Sequence, residues 1–114
     1  MQDYACVRVW QLRAGASAAD LESLASSGFL EMQRWIPGVK QVALLNVTAT
    51  PGQYVMVMTF ADHEAYMRWR RAEEEGADYW ERYAAVASGW EDLASLVTEY
   101  AGALVMDEKL ADRL

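Results

Sequence analysis

Residues 41–61 read QVALLNVTATPGQYVMVMTFA, and this stretch decides the fold. Two runs rich in Val, Leu, Met, Thr and aromatic residues, Gln41–Thr50 and Gln53–Ala61, flank Pro51-Gly52. Such runs separated by a Pro-Gly turn signal predict a β-hairpin of two adjacent antiparallel strands. In the second run Tyr54, Met56, Met58 and Phe60 alternate with Val55, Val57 and Thr59, so neither face is strongly polar. Upstream, Tyr4–Arg13 has the same character and contains no Gly or Pro. It predicts a further strand with Cys6, Arg8, Trp10 and Leu12 on one face and Val7 and Val9 on the other.

Helical signals separate these strands. Ser17 with Asp20 three residues later resembles a capping box in its Asp form. Leu21, Leu24, Gly28, Met32 and Trp35 then follow at spacings of three and four. Gly28 within that face points to a close approach to the sheet, or else to a weak spot in the helix. Pro37-Gly38 closes the segment. Asp62 is a good N-cap for a helix over 63–75 that places Tyr66 and Trp69 on one side. A second helical stretch over 78–96 carries Trp80, Tyr83 and Trp90, with a kink or split expected at Ser88-Gly89. Thr98–Met106 reads as the last strand and Asp107–Leu114 as a charged tail. The order β-α-β-β-α-β is the split-βαβ, ferredoxin-like α+β motif with a four-stranded antiparallel sheet. The strands are apolar on both faces, so the patterning predicts a homodimer in which a second copy covers the sheet surface that the helices leave open.

Composition narrows the function. A chain of 114 residues suggests one domain, and 54% hydrophobic residues exclude a disordered segment. The net charge of −7 disfavours nucleic acid, since phosphate neutralisation supplies most of that affinity. One Cys excludes an internal disulfide framework, and one His excludes the common zinc sites. No signal-peptide pattern and no run of about 18 apolar residues occurs, so the expected address is the cytoplasm and no membrane partner is expected. Eight Arg against two Lys, with abundant Ala, point to a bacterial source.

Four stretches stand out: Val7-Arg8-Val9-Trp10, Trp35-Ile36-Pro37-Gly38-Val39, Phe60-Ala61-Asp62-His63-Glu64-Ala65-Tyr66 and Trp90-Glu91-Asp92-Leu93. In these the chain resembles the dimeric α/β-barrel superfamily, both its antibiotic-biosynthesis monooxygenase-like branch and its stress-responsive A/B-barrel, polyketide cyclase-like branch. The resemblance implies a ligand held between sheet and helices, with Cys6, Arg8, Trp10 and Leu12 on one strand and Tyr54, Met56, Met58 and Phe60 on another facing that space. It further implies a tailoring enzyme of secondary metabolism that needs no cofactor. Such an enzyme oxygenates or cyclises a hydrophobic, aromatic or polyketide-like substrate through an enolate or phenolate. The chain departs from the family in two places. Arg70, Arg71 and Glu73–Glu75 stand where many members carry a functional histidine, and Phe60 stands where monooxygenase-like members often carry a Trp.

Among individual residues, Arg8 is the most informative, because a charge in an apolar strand needs either a partner or a task. Its task would be to hold an enolate or phenolate oxygen; the alternative is a salt bridge to one of the many Glu residues or to a second subunit. Asn46 and Tyr83 are candidate polar orienters, and His63 a candidate general base or an exposed first-turn residue. Trp10, Met56, Met58, Phe60, Trp80 and Tyr100 are candidate substrate-binding walls, or ordinary core. Two other readings stay open: a non-catalytic dimeric module for small ligands or stress response, and a haem-binding protein with His63 as its histidine.

Overall fold

The computed structural model describes the backbone of residues 2–33, 37–75 and 78–107, and the side chains of these except at 29, 32–33 and 72–84. The elements run β1 (Tyr4–Leu12), α1 (Ala18–Leu24), a π-helical turn (Ala25–Phe29), α2 (Leu30–Gln33), β2 (Val39–Asn46), β3 (Gln53–Phe60), α3 (His63–Glu75), α4 (Asp78–Leu93) and β4 (Ala94–Ala103). The strands form one antiparallel sheet in the order β2-β3-β1-β4. This is the expected ferredoxin-like α+β fold.

Alternation decides which face the helices cover. Cys6, Arg8 and Trp10 of β1 pair with Met58, Met56 and Tyr54 of β3, and all six are buried. Leu21, Tyr66, Trp69 and Trp90 from the helices pack on this face in one cluster. On the other face lie Val7, Val9, Val55 and Val57, half-buried, with Leu45 60% and Tyr100 64% exposed. Both faces are therefore apolar, and the chain's own helices cover only one.

Helix ends follow their caps. Ser17 Oγ accepts from the Asp20 amide at 3.2 Å, and Asp62 Oδ1 accepts from the Ala65 amide at 2.8 Å. Gly38 has φ +91°, and a Cβ there would lie 2.5 Å from Ala65 Cβ, so the start of β2 presses on α3.

The structure corrects several boundaries. β2 ends at Asn46 rather than Thr50, and residues 47–52 form the connection. Tight two-residue hairpins need a positive φ at the first central position, which Pro51 cannot adopt. Thr50–Gln53 instead makes a turn with Gly52 at φ +83° and the Gln53 amide donating to Thr50 O at 3.0 Å. α4 stops at Leu93 and β4 starts at Ala94, four residues before the expected Thr98, because Ala94 and Leu96 find partners in Leu12 and Trp10. A register shift opposite Val9 and Trp10 absorbs the extra residue. β4 ends at Ala103 because its partner strand begins at Tyr4.

The two helical glycines also differ from expectation. α4 runs unbroken through Ser88-Gly89, and Gly28 approaches a helix, not the sheet. A Cβ at Gly28 would meet Val86 Cγ2 at 3.1 Å, and one at Gly89 would meet Leu24 Cδ2 at 3.3 Å. Both glycines let the first helical segment lie against α4. Trp35, expected on the first helical face, lies outside the described residues. Among the described residues no helix is long and apolar enough to cross a membrane.

Candidate functional site

One row of side chains crosses the whole sheet on the helix-covered face: Leu44, Met56, Arg8 and Glu99, one from each strand in sheet order. Arg8 is only 9% exposed. Its Nε donates to Glu99 Oε2 at 2.6 Å, and its guanidinium carbon lies 4.7 Å from the centre of the Trp69 ring. Arg70 Nη1 donates to the other Glu99 oxygen and, at 3.0 Å, to Tyr66 Oη. Burial pushes the Glu99 carboxyl up, but the hydrogen bond from Arg70 and the charge of Arg8 outweigh it and hold the carboxyl below the usual range. Burial also raises the Tyr66 phenol, against the opposing effect of Arg70.

Beside this charged group the row becomes apolar. Val42, Leu44 and Met56 floor a cleft of about 270 Å³, and Ala25 and Leu30 wall it. Its polar side is Glu22 of α1 and Ser26 of the π-helical turn. A π-helical turn widens the helix locally and recurs at functional sites. Here it places Ala25 and Ser26 on the cleft. Glu22 Oε2 accepts from Tyr54 Oη at 2.6 Å, with Asn46 Nδ2 at 3.5 Å. Burial first, then the hydrogen bond to the Glu22 carboxylate, pushes the Tyr54 phenol up to about 12. The Ser26 hydroxyl donates back to the Glu22 and Ser23 carbonyl oxygens, both at 3.2 Å.

The residues singled out from sequence divide among these surroundings. Arg8 and Met56 lie side by side in the row, and Met56 lines the cleft. Asn46, at the end of β2, is exposed and reaches the cleft through Glu22. Trp10 is buried edge-to-face on Trp90, with ring centres 5.7 Å apart. Met58 is buried in the core, and Phe60 stacks on Tyr66 and Trp69 at 5.5 and 5.6 Å. His63 is exposed with its ring 4.8 Å from Tyr4, and four residues of strand rise, about 13 Å, separate Tyr4 from Arg8. Tyr100 pairs with Val7 on the open face, so the sheet stands between it and the cleft. The side chains of Trp80 and Tyr83 lie outside the described residues.

Sequence reading missed Glu22, Ser26, Trp69 and Glu99 as site residues. Glu99 carried a readable signal, a carboxylate within an apolar strand, but its pairing with Arg8 needed the register. Glu22 carried none, since a Glu between apolar helix positions looks like any solvated residue. Among the described residues no group of three His, Cys, Asp or Glu side chains is placed to hold a metal ion. What the arrangement offers is a greasy shelf, a carboxylate at its rim and a fixed cation one strand away.

No family model matches the chain, and no curated protein matches it. Solved structures do. SnoaB from Streptomyces nogalater, a cofactor-independent oxygenase, is 21% identical with a TM-score of 0.66, covering 97% of this chain and 99% of its own. HapK from Hahella chejuensis is 17% identical with a TM-score of 0.71, covering 95% and 98%. A candidate antibiotic biosynthesis monooxygenase from Chloroflexus aurantiacus is 12% identical with a TM-score of 0.66, covering 94% and 97%. The chain thus has the fold of the antibiotic biosynthesis monooxygenase-like proteins over nearly its whole length.

Proposed function

We propose that the chain is a cofactor-independent tailoring enzyme of secondary metabolism, acting as an oxygenase or cyclase on a hydrophobic, aromatic polyketide-like substrate. The observation that carries this reading is the row in which the apolar cleft floor, Leu44 and Met56, adjoins the buried Arg8. Neighbouring strands are about 4.8 Å apart, so a flat molecule lying on Met56 brings an edge oxygen near the next strand. A cation fixed there by Glu99 and Trp69 stabilises a developing enolate or phenolate without reorganising. The carbanion so held, its proton released to water, adds O2 and takes up a proton to give a hydroperoxide that loses water to leave a carbonyl, or it adds to a carbonyl of the same molecule. Trp10, Met58 and Phe60 would act as rigid backing of the site, with Asn46 an orienter acting through Glu22. Tyr83 and Trp80, from α4, remain candidates for the same space. The likeness to SnoaB supports the oxygenase branch.

The working unit proposed is a homodimer in the cytoplasm. A second copy covering Leu45, Val57 and Tyr100 would remove an apolar surface that water otherwise meets. The lone buried thiol of Cys6 suits a reducing compartment. Sedimentation at twice the chain mass is expected, with Val57→Asp shifting the protein to monomer; a wild-type monomer refutes this part.

The test of activity is oxygen uptake and product analysis with a panel of enolisable fused-ring ketones. Protein-dependent turnover is expected, with Arg8→Met lowering kcat about a hundredfold in a protein that remains folded. No turnover across the panel refutes the enzymatic reading. One observation favours a second reading, a non-catalytic ligand-binding module: Arg8 is already engaged by Glu99. Ligand binding without turnover would select it, and a Soret shift on adding haemin would select the haem-binding alternative.

A further inference from the structure

The polar side of the cleft has an unusual property: among the described residues that line it, every polar side chain offers only an acceptor. The hydroxyl proton of Ser26 is given to carbonyl oxygens of its own helix, which leaves its oxygen able to accept. Glu22 is an acceptor by nature when ionised. The donors that could have balanced it, Tyr54 Oη–H and the Asn46 amide, are both directed at Oε2 of that same carboxylate. Among the described residues no hydrogen bond reaches Glu22 Oε1. Tyr54 is 1% exposed, so its bond clamps the carboxylate from within the core. Among the described residues the rest of the lining is Ala25, Leu30, Val42, Leu44 and Met56, with no cation.

We infer that this cleft selects a neutral, flat, hydroxyl-bearing ligand, with Glu22 as the specificity-determining acceptor and Tyr54 as its positioning residue. A phenolic or enolic O–H donates to Glu22 Oε1 while the rings lie on Leu44 and Met56. A ligand that presents a carboxylate to Glu22 meets like charge and, among the described lining residues, no donor; turned toward Arg8 instead, it competes with Glu99, which already holds that guanidinium, so it is disfavoured. A bare hydrocarbon fits the floor but gains no hydrogen bond from the exposed Glu22 carboxylate, which keeps only its bonds from Tyr54 and Asn46. The volume, just below the roughly 300 Å³ at which ligand pockets begin, suits about two to three fused rings. The inference deepens the proposed function by naming the substrate class, and depends on it for chemistry but not for binding.

Isothermal titration of the whole protein with naphthol, naphthalene and naphthoate tests it. Naphthol is expected to bind about tenfold more tightly than naphthalene, with naphthoate undetected. Glu22→Gln, whose side chain offers both donor and acceptor, should erase the naphthol preference and admit naphthoate. Tyr54→Phe should weaken naphthol several-fold while leaving naphthalene unchanged. Equal affinities for the three ligands, no binding of any, or a preference untouched by Glu22→Gln would each overturn the inference. Oxygen uptake read on the same variants separates the two proposals. Selective naphthol binding without any turnover sinks only the enzymatic reading. Turnover that Glu22→Gln leaves unchanged, with no ligand preference, sinks only this one.

Discussion

Glu99→Gln is the most demanding test of the buried charge group. The variant keeps the shape of the side chain and removes the charge that Arg8 and Arg70 share. Exposed ion pairs contribute about 0–1 kcal/mol, whereas breaking a buried one by removing a single partner costs about 3–5 kcal/mol. The Arg8 and Glu99 side chains are 10% and 20% exposed, close to the buried limit, while Arg70 at 35% can turn to water. An intermediate loss of about 2–3 kcal/mol follows, or roughly 10 °C in Tm for a chain of this size. Urea unfolding at pH 7 measures it. The double variant Arg8→Met/Glu99→Leu removes both charges and should recover most of the loss, since an apolar pair suits that face. The pH dependence has a definite sign. Glu99 is held below the usual carboxylate range, so its contribution is complete above the unfolded value, near pH 4.3, and fades as pH falls through its folded value. Glu99→Gln should therefore converge on wild type in acid. A variant within about 0.5 kcal/mol of wild type at pH 7, or a double variant whose losses simply add, would refute the reasoning.

Two further expectations are simple to check. Gly38→Ala should destabilise by about 2–3 kcal/mol in urea, because a positive φ and a 2.5 Å approach to Ala65 Cβ both oppose a side chain. An alanine variant as stable as wild type would mean that β2 and α3 are not pressed together there. Tyr54 should ionise only near pH 12, seen as a tyrosinate absorbance step that Tyr54→Phe removes. Because its folded value lies above its unfolded one, its contribution is complete below pH 10 and is lost as pH rises through about 12.

Local chemistry fixed a good deal of this molecule without coordinates. The period of two in Cys6–Trp10 and Tyr54–Phe60 sorted the side chains of both central strands into two faces, because a pleat sends alternate side chains to opposite sides, while the choice of the helix-covered face came from the family resemblance. Ser17 and Asp62 named two helix starts, because a side-chain oxygen satisfies amides that a helix leaves open. Arg8 stood out because charge in an apolar strand demands a partner.

What identified that partner was register. Glu99 faces Arg8 because β4 returns antiparallel beside β1 in the register that sets Thr98 against Val9. The cleft likewise belongs to the tertiary structure. Glu22 and Tyr54 are separated by 32 positions and meet because the first helical segment lies across β2 and β3. A lone carboxylate on a helix looks like every other solvated Glu, and a lone Tyr on a strand like ordinary core. Short-range geometry decides which way a side chain points, since it depends on the two or three nearest peptide units. Which group waits at its tip depends on chain that returns from far away, and that was settled only when sheet and helices packed.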